Sequence, residues 1–172
     1  MTAKVHSGSL DQLLANHRLP KHNTLLSGPE SVAFGQQLHE LVAQAHNPHQ
    51  LKELLQEYYQ SGLLTTAQVP LVEKWLLLAQ QHPVLGNLWE ADVQHLTEQA
   101  IVDTQGATWR PDKILKSATE TWLIDYKLSA QLSTDSHQQQ IRQYASLLLE
   151  MGYPQVRGHL YYFMQNAWIE VI

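Results

Sequence analysis

The spacing of apolar and polar residues predicts helices in the first half of the chain. Residues 1–26 are polar and broken, and we expect a leader or linker there. From Ser27 onward apolar side chains recur at helical spacing, and Leu38, Leu41 and Val42 share one stripe. Two more amphipathic stretches, 48–62 and 66–82, predict two further helices. Residues 27–92 are therefore predicted to be the helical part of a single domain.

The pattern then changes to short β-type segments separated by turns. Residues 91–106, 107–117 and 120–129 predict three strands of an antiparallel meander. A clear amphipathic helix follows over 135–152, and two strands close the chain. A helix between the third and fourth strands lets them run parallel. The prediction is an α/β (α+β) fold, a mixed sheet flanked by helices, with residues 93–172 as the sheet core of a domain spanning 27–172.

Composition narrows the classes of protein. The 172 residues suffice for one domain, and the absence of cysteine excludes disulfides, thiolate zinc sites and iron–sulfur clusters. The formal charge is −5 and neither half of the chain is basic, which weighs against a strong autonomous DNA binder. No apolar run has the length of a membrane span and no secretory signal is visible. We therefore expect a cytoplasmic protein without a membrane partner.

Three charged residues on the predicted meander are candidates for chemistry. Asp112 falls on the predicted second strand, and Asp125 and Lys127 fall two apart on the third, so that they share a face. Two neighbouring carboxylates repel each other unless a proton or a cation lies between them. Oxygen ligands of this kind suit Mg²⁺ or Mn²⁺, and a nearby lysine can orient water or neutralise a phosphate. From these residues alone, an ordinary ion pair at the strand ends is the favoured interpretation.

Five short motifs, in order along the chain, resemble those of the PD-(D/E)xK nuclease superfamily. The resemblance is closest to the RecB/AddA-type C-terminal nuclease domain of UvrD/RecB-like helicase–nucleases and covers residues from about 30 to 172. The motifs are "FGQQLHELV" with Gly35 and His39, "LTEQAIVD" with Glu98, "RPDKIL…WLIDYK", "QIRQY" with Gln140 and Tyr144, and the closing "MGYPQVRGHLYYF". The resemblance implies a restriction-endonuclease-like core.

The resemblance also implies a metal site that takes Mg²⁺ or Mn²⁺. Asp112 and Asp125 would be ligands, and His39 and the backbone carbonyl of Tyr126 would complete the site. Glu98 is a weaker candidate ligand. An iron–sulfur cluster, which AddB-like relatives carry, is not expected because this chain has no cysteine.

The remaining implied roles concern the reaction and its partners. Lys127 would position the attacking water, while Gln140 and Tyr144 would line the active site, contact DNA or hold the metal-binding residues. The implied function is a metal-dependent deoxyribonuclease, as an exonuclease on single-stranded or duplex ends, with a helicase domain or subunit in cis or trans. The alternative is a catalytically silent module of the same fold that guides DNA or binds a protein.

Two assignments stay open at the level of sequence. Tyr144 also fits the apolar stripe of its helix, so a core role is nearly as well supported as a site role. Four basic residues fit either phosphate contacts or ordinary solvated charges: Lys113, Lys116, Arg142 and Arg157.

Overall fold

The computed structural model describes residues 29–129, 131–132 and 134–172, and the predicted leader lies outside these ranges. Helices come first along this part of the chain and return once after the central strands. They are α1 Pro29–Gln44, α2 Pro48–Gln60, α3 Val69–Gln81, α4 Leu85–Glu90 and α5 Asp135–Glu150. The short α4 was not predicted from the sequence. The division of the chain into domains stays a prediction.

The strands form one large sheet and one small hairpin. They are β1 Gln94–Thr97, β2 Ile101–Val102, β3 Thr108–Trp109, β4 Lys113–Lys116, β5 Thr121–Lys127, β6 Val156–Tyr162 and β7 Ala167–Glu170. The five-stranded sheet has the order β1-β4-β5-β6-β7, and β2 pairs with β3 separately. Neighbours are antiparallel except β5 and β6, which run parallel on either side of α5 in the sequence. The predicted mixed sheet flanked by helices is confirmed.

The predicted first two strands are wrong in their extent. Each was expected to be continuous, but both are interrupted, and their inner halves form the β2–β3 hairpin apart from the sheet. A turn at Gly106, which has a φ of +84°, closes that hairpin. Pro111 has no N–H for a ladder, and the chain around it belongs to no strand. The meander therefore consists of β1, β4 and β5.

Local signals explain where two of the helices begin and end. Asn47 accepts a hydrogen bond from the Gln50 N–H before α2, and Thr134 accepts one from the His137 N–H before α5. α5 ends before Gly152, whose φ of +81° lies in the left-handed region that glycine tolerates. That end agrees with the sequence prediction.

The alternation of β5 divides the core between the two faces of the sheet. Ile124 and Tyr126 pack with buried residues of α1 to α4. Leu123 packs with buried residues of α5 such as Ile141 and Leu148. Asp125 lies two residues after Leu123, so its side chain is on the same α5 side of the sheet. The candidate site described next includes this side chain. In the part of the chain that the structure describes, no helix is long and apolar enough to cross a membrane.

Candidate active site

Asp112 lies directly before β4 and not on a strand, contrary to the prediction. The preceding Pro111 cannot donate to a ladder, so regular pairing begins only at Lys113. Asp112 is buried, with 8% of the residue exposed. Oδ2 accepts the Tyr126 N–H at 2.7 Å and lies 3.1 Å from Nδ1 of His39. Asp112 is therefore held by both the sheet and α1.

Asp125 and Lys127 share a face of β5, as the strand period predicts. Asp125 is 2% exposed, and Nζ of Lys127 lies 2.5 Å from its Oδ2. Lys113 pairs with Ile124, so one further antiparallel step places Asp112 beside Asp125. Burial, and then the charge of Asp112, raise the pKa of Asp125 to about 6 against the lowering effect of Lys127. The predicted acid pair is therefore present and electrostatically coupled.

A relay of hydrogen bonds joins Lys127 to the segment that carries Asp112. Gln140 accepts from Nζ of Lys127 at 2.8 Å and donates through Nε2 to the Tyr144 hydroxyl at 2.9 Å. That hydroxyl donates to the Arg110 carbonyl at 3.3 Å. Tyr144 is also buried in the core on the α5 side, which confirms its core role, while its role in a site stays a prediction. The relay connects β5, α5 and the chain entering β4.

His39 connects the acid pair to a cavity on the α1 side. The cavity has a volume of about 670 Å³. Its lining residues are Val32, Gly35, Gln36, His39, Glu40, Glu98, Asp112 and Leu128. Burial lowers the pKa of His39, but the hydrogen bond and charge of Asp112 outweigh it, so that this pKa is raised. The imidazole is thus poised beside a carboxylate at the wall of an open space.

Glu98 lies just after β1 and not on the strand, in a left-handed conformation with a φ of +49°. The backbone N–H of Glu98 donates to the Asp112 carbonyl at 3.2 Å, and Glu98 also lines the cavity. Burial, and then the charge of Asp112, raise the pKa of its carboxyl. Glu40 is a second exposed acid of the cavity wall that the sequence analysis did not single out. Its position next to His39 on α1 was the available signal.

Lys113 was also missed, since the sequence left it as either a phosphate contact or a solvated charge. Both interpretations are wrong because the residue is 0% exposed. Nζ donates to the carbonyls of Ala43, at 3.2 Å, and Ala45. Burial lowers the pKa of this lysine to about 8. Its place among apolar residues of a central strand was the signal that it points inward.

His137, in the first turn of α5, is a further neighbour of the site. Nδ1 lies 2.8 Å from the buried Tyr162 hydroxyl. Burial, and then the charge of Lys127, lower the pKa of the imidazole. His137 and Gln140 are three residues apart, so both lie on the face of α5 that turns toward Lys127.

The side chains of the site are of the types that bind magnesium or manganese, but the carboxylate oxygens already contact other residues. Two buried carboxylates and an imidazole are suitable ligands, and a cation would relieve the repulsion that raises the pKa of Asp125. Within the described ranges, however, no three His, Asp or Glu side chains have a geometry ready for a metal. Oδ2 of Asp112 is engaged by His39 and Tyr126, and Asp125 by Lys127. A metal bound through these two Oδ2 atoms would displace the contacts of His39 and Lys127 with them.

Comparison with known proteins adds no family to this picture. No protein-family model matches the chain, and a search of curated proteins gives no match. The fold class is a mixed α/β domain, and the contacts of His39, Asp112, Asp125 and Lys127 are the basis for any functional conclusion.

Proposed function

We propose that the chain is a Mg²⁺- or Mn²⁺-dependent DNA nuclease of the PD-(D/E)xK superfamily, with a restriction-endonuclease-like core. One observation carries the proposal. Hydrogen bonds link His39 to Asp112 and Lys127 to Gln140, an ion pair joins Asp125 to Lys127, and the charges of Asp112 and Asp125 are coupled. His39 and Asp112 also line a cavity. These residues come from four separate parts of the chain, and an ordinary ion pair at a strand end would not need them all.

The metal would be held by His39, Asp112 and Asp125, with the Tyr126 carbonyl as a further ligand. When bound, it would supply positive charge to the phosphate being cleaved. Lys127, anchored by Gln140 at 2.8 Å, would donate a hydrogen bond to the attacking water and fix its position. The attacking water gives up a proton to solvent as its oxygen forms a bond to phosphorus, the P–O ester bond breaks, and the leaving oxygen takes a proton from solvent.

The acidic wall of the cavity favours a DNA substrate that another domain or subunit brings to the site over one that the chain binds from solution by itself. Glu40, Glu98 and Asp112 line the wall, and acidic groups repel phosphates unless a cation is present. The proposal therefore includes a helicase domain or subunit, in cis or trans, that supplies most phosphate contacts and feeds a DNA end to the site. The proposal also includes, as the resemblance implies, exonuclease action in the cytoplasm on single-stranded or duplex ends, in DNA end processing and recombinational repair.

The competing proposal is a catalytically silent module of the same fold that guides DNA or binds a protein. One observation favours it: Asp112 Oδ2 is already engaged by two donors and Asp125 by an ammonium. Against it stands the cost of burying Asp125 beside Asp112, which a module without a cation has no reason to retain.

Cleavage assays separate the two functions. End-labelled single-stranded and duplex linear DNA and a closed circle are incubated with the full chain in Mn²⁺, Mg²⁺ or EDTA. Asp125→Ala and Lys127→Ala are the test variants, and Asp92→Ala and Lys52→Ala are matched controls at exposed positions. Folding of each variant is checked by circular dichroism.

Metal-dependent cleavage that both test variants lose and both controls keep is the result expected of the nuclease. A circle that survives while linear DNA is degraded identifies an exonuclease. A folded chain that binds no Mn²⁺ in a thermal-shift assay and cuts nothing supports the silent module. Full cleavage by both test variants would end the assignment of Asp125 and Lys127 to catalysis.

A further inference from the structure

Lys113 makes an unusual use of a charged side chain. Its ammonium is buried in the interior between β4 and α1, where an apolar side chain of similar length would avoid the loss of hydration. The ammonium donates to the carbonyls of Ala43 and Ala45, in and just beyond the last turn of α1. Those carbonyls have no partner within the helix and carry its negative end.

A second donor reaches the same point. Thr97 on β1 is the register partner of Lys113, and its Oγ1 donates to the Ala43 carbonyl at 2.7 Å. The end of α1 is therefore fixed to one register position of the β1–β4 pair. A slip of the helix along the sheet would break all three hydrogen bonds.

The attachment is close to the candidate metal-binding residues. His39 precedes Ala43 by four residues, which is about one helical turn. Asp112, which His39 contacts at 3.1 Å, is the chain neighbour of Lys113. Two adjacent residues thus hold two adjacent turns of the same helix.

We infer that Lys113 is a positioning residue, whose buried ammonium fixes the last turn of α1 on β4 and so sets the reach of His39 to Asp112. The contact geometry does not depend on the proposed nuclease activity, but its importance for metal binding and cleavage rests on that function. Lys113 itself touches neither substrate nor metal in this role.

The test compares Lys113→Met, which keeps length and removes the ammonium, with Thr97→Val and with Leu148→Ala. Leu148 is buried in the core on the α5 side, so its truncation lowers stability without touching α1. Three quantities are measured on the full chain: the imidazole NMR signals of His39 in EDTA at one pH, the Mn²⁺ dissociation constant, and kcat and KM for DNA cleavage. His39→Gln assigns the His39 signals among the ten histidines.

Lys113→Met is expected to shift the His39 signals, to weaken Mn²⁺ binding at least tenfold and to lower kcat more than it changes KM. Thr97→Val should act in the same direction but less, because Lys113 remains. Leu148→Ala, at an equal or greater loss of Tm, should leave the His39 signals and Mn²⁺ affinity within twofold of wild type.

The inference is overturned if Lys113→Met leaves the His39 signals and Mn²⁺ affinity unchanged, or if Leu148→Ala alters them as much. If Lys113→Met does not fold, Thr97→Val against Leu148→Ala decides, and unchanged His39 signals in Thr97→Val overturn it. A wild-type chain that neither binds Mn²⁺ nor cuts DNA would refute the proposed function. The His39 signals would then still decide the role of Lys113.

Discussion

Replacing Asp125 by asparagine should make the metal-free protein more stable at pH 8. Burial, and then the charge of Asp112, raise the pKa of this carboxyl from its ordinary 3.8 to about 6. Between those values the folded chain binds more protons than the unfolded chain, so stability falls as the pH rises through the window. The rise corresponds to about 3 kcal/mol of unfavourable free energy for the ionised form above pH 6.

Asparagine has nearly the shape of aspartate but no charge, so it would recover part of that free energy. The recovery is incomplete because Lys127 loses its ion pair and keeps Gln140 as a hydrogen-bond partner. We expect Asp125→Asn to raise the free energy of unfolding by about 1–3 kcal/mol at pH 8. At pH 4 the wild-type carboxyl is protonated in the folded state and about half protonated in the unfolded state, so most of the gain should disappear.

Urea unfolding in EDTA at pH 4 and pH 8 measures both values, with Asp92→Asn as an exposed control that should change stability by less than about 0.5 kcal/mol. The same variant should lose Mn²⁺ binding and DNA cleavage. A loss of stability at pH 8, or a gain that is equal at both pH values, would refute the electrostatic account of the acid pair.

Four other substitutions test separate parts of the structure. Burial lowers the pKa of His159 from an ordinary 6.5 to about 4. Between these pH values the imidazole is protonated in the unfolded chain but not in the folded chain, so stability falls as the pH falls, by up to about 3 kcal/mol. His159→Phe should therefore flatten the fall in stability between pH 6.5 and pH 4 in urea unfolding, whereas the exposed His49→Gln should keep it. Gly86→Ala should cost about 2–3 kcal/mol by chemical denaturation, because its new Cβ would clash with the Gln80 carbonyl oxygen. Gly35→Ala is its counterpart inside α1, where the Cβ meets only Leu128 Cδ2 at 4.0 Å, and a gain of about 0.5–1 kcal/mol is expected. Tyr144→Phe removes the hydroxyl that joins Gln140 to the Arg110 carbonyl. It should cost about 1 kcal/mol and slow cleavage, while Tyr59→Phe at an exposed position changes neither.

Local periodicity made much of the fold predictable. The helical stripe of α1 and the left-handed Gly152 after α5 follow from residues close in sequence. The side-chain period of two on β5 also placed Asp125 and Lys127 on one face. These features need no knowledge of distant contacts, which is why the pattern alone predicts them.

The predictions that were wrong or missing concern features that depend on contacts between distant segments of the chain. Pro111 interrupts β pairing, which the sequence indicates. The residues before it pair instead in the β2–β3 hairpin, and local propensity does not specify that pairing. Lys113 gave no sign of its two carbonyl partners, because they lie 70 and 68 residues away. Glu40 is next to His39 in the sequence, but the cavity that makes it a candidate depends on how α1 packs.

The places where simple patterning fails coincide with the candidate site. Asp112, Lys113 and Asp125 are charged residues at buried positions, where apolar side chains would be the stabilising choice. Each is retained with a partner from a distant segment: His39, the end of α1, or Lys127. A surface ion pair would need none of this burial. A site that must hold a cation at a fixed distance from an ammonium needs all of it, because only buried and interlinked side chains keep their positions when substrate arrives.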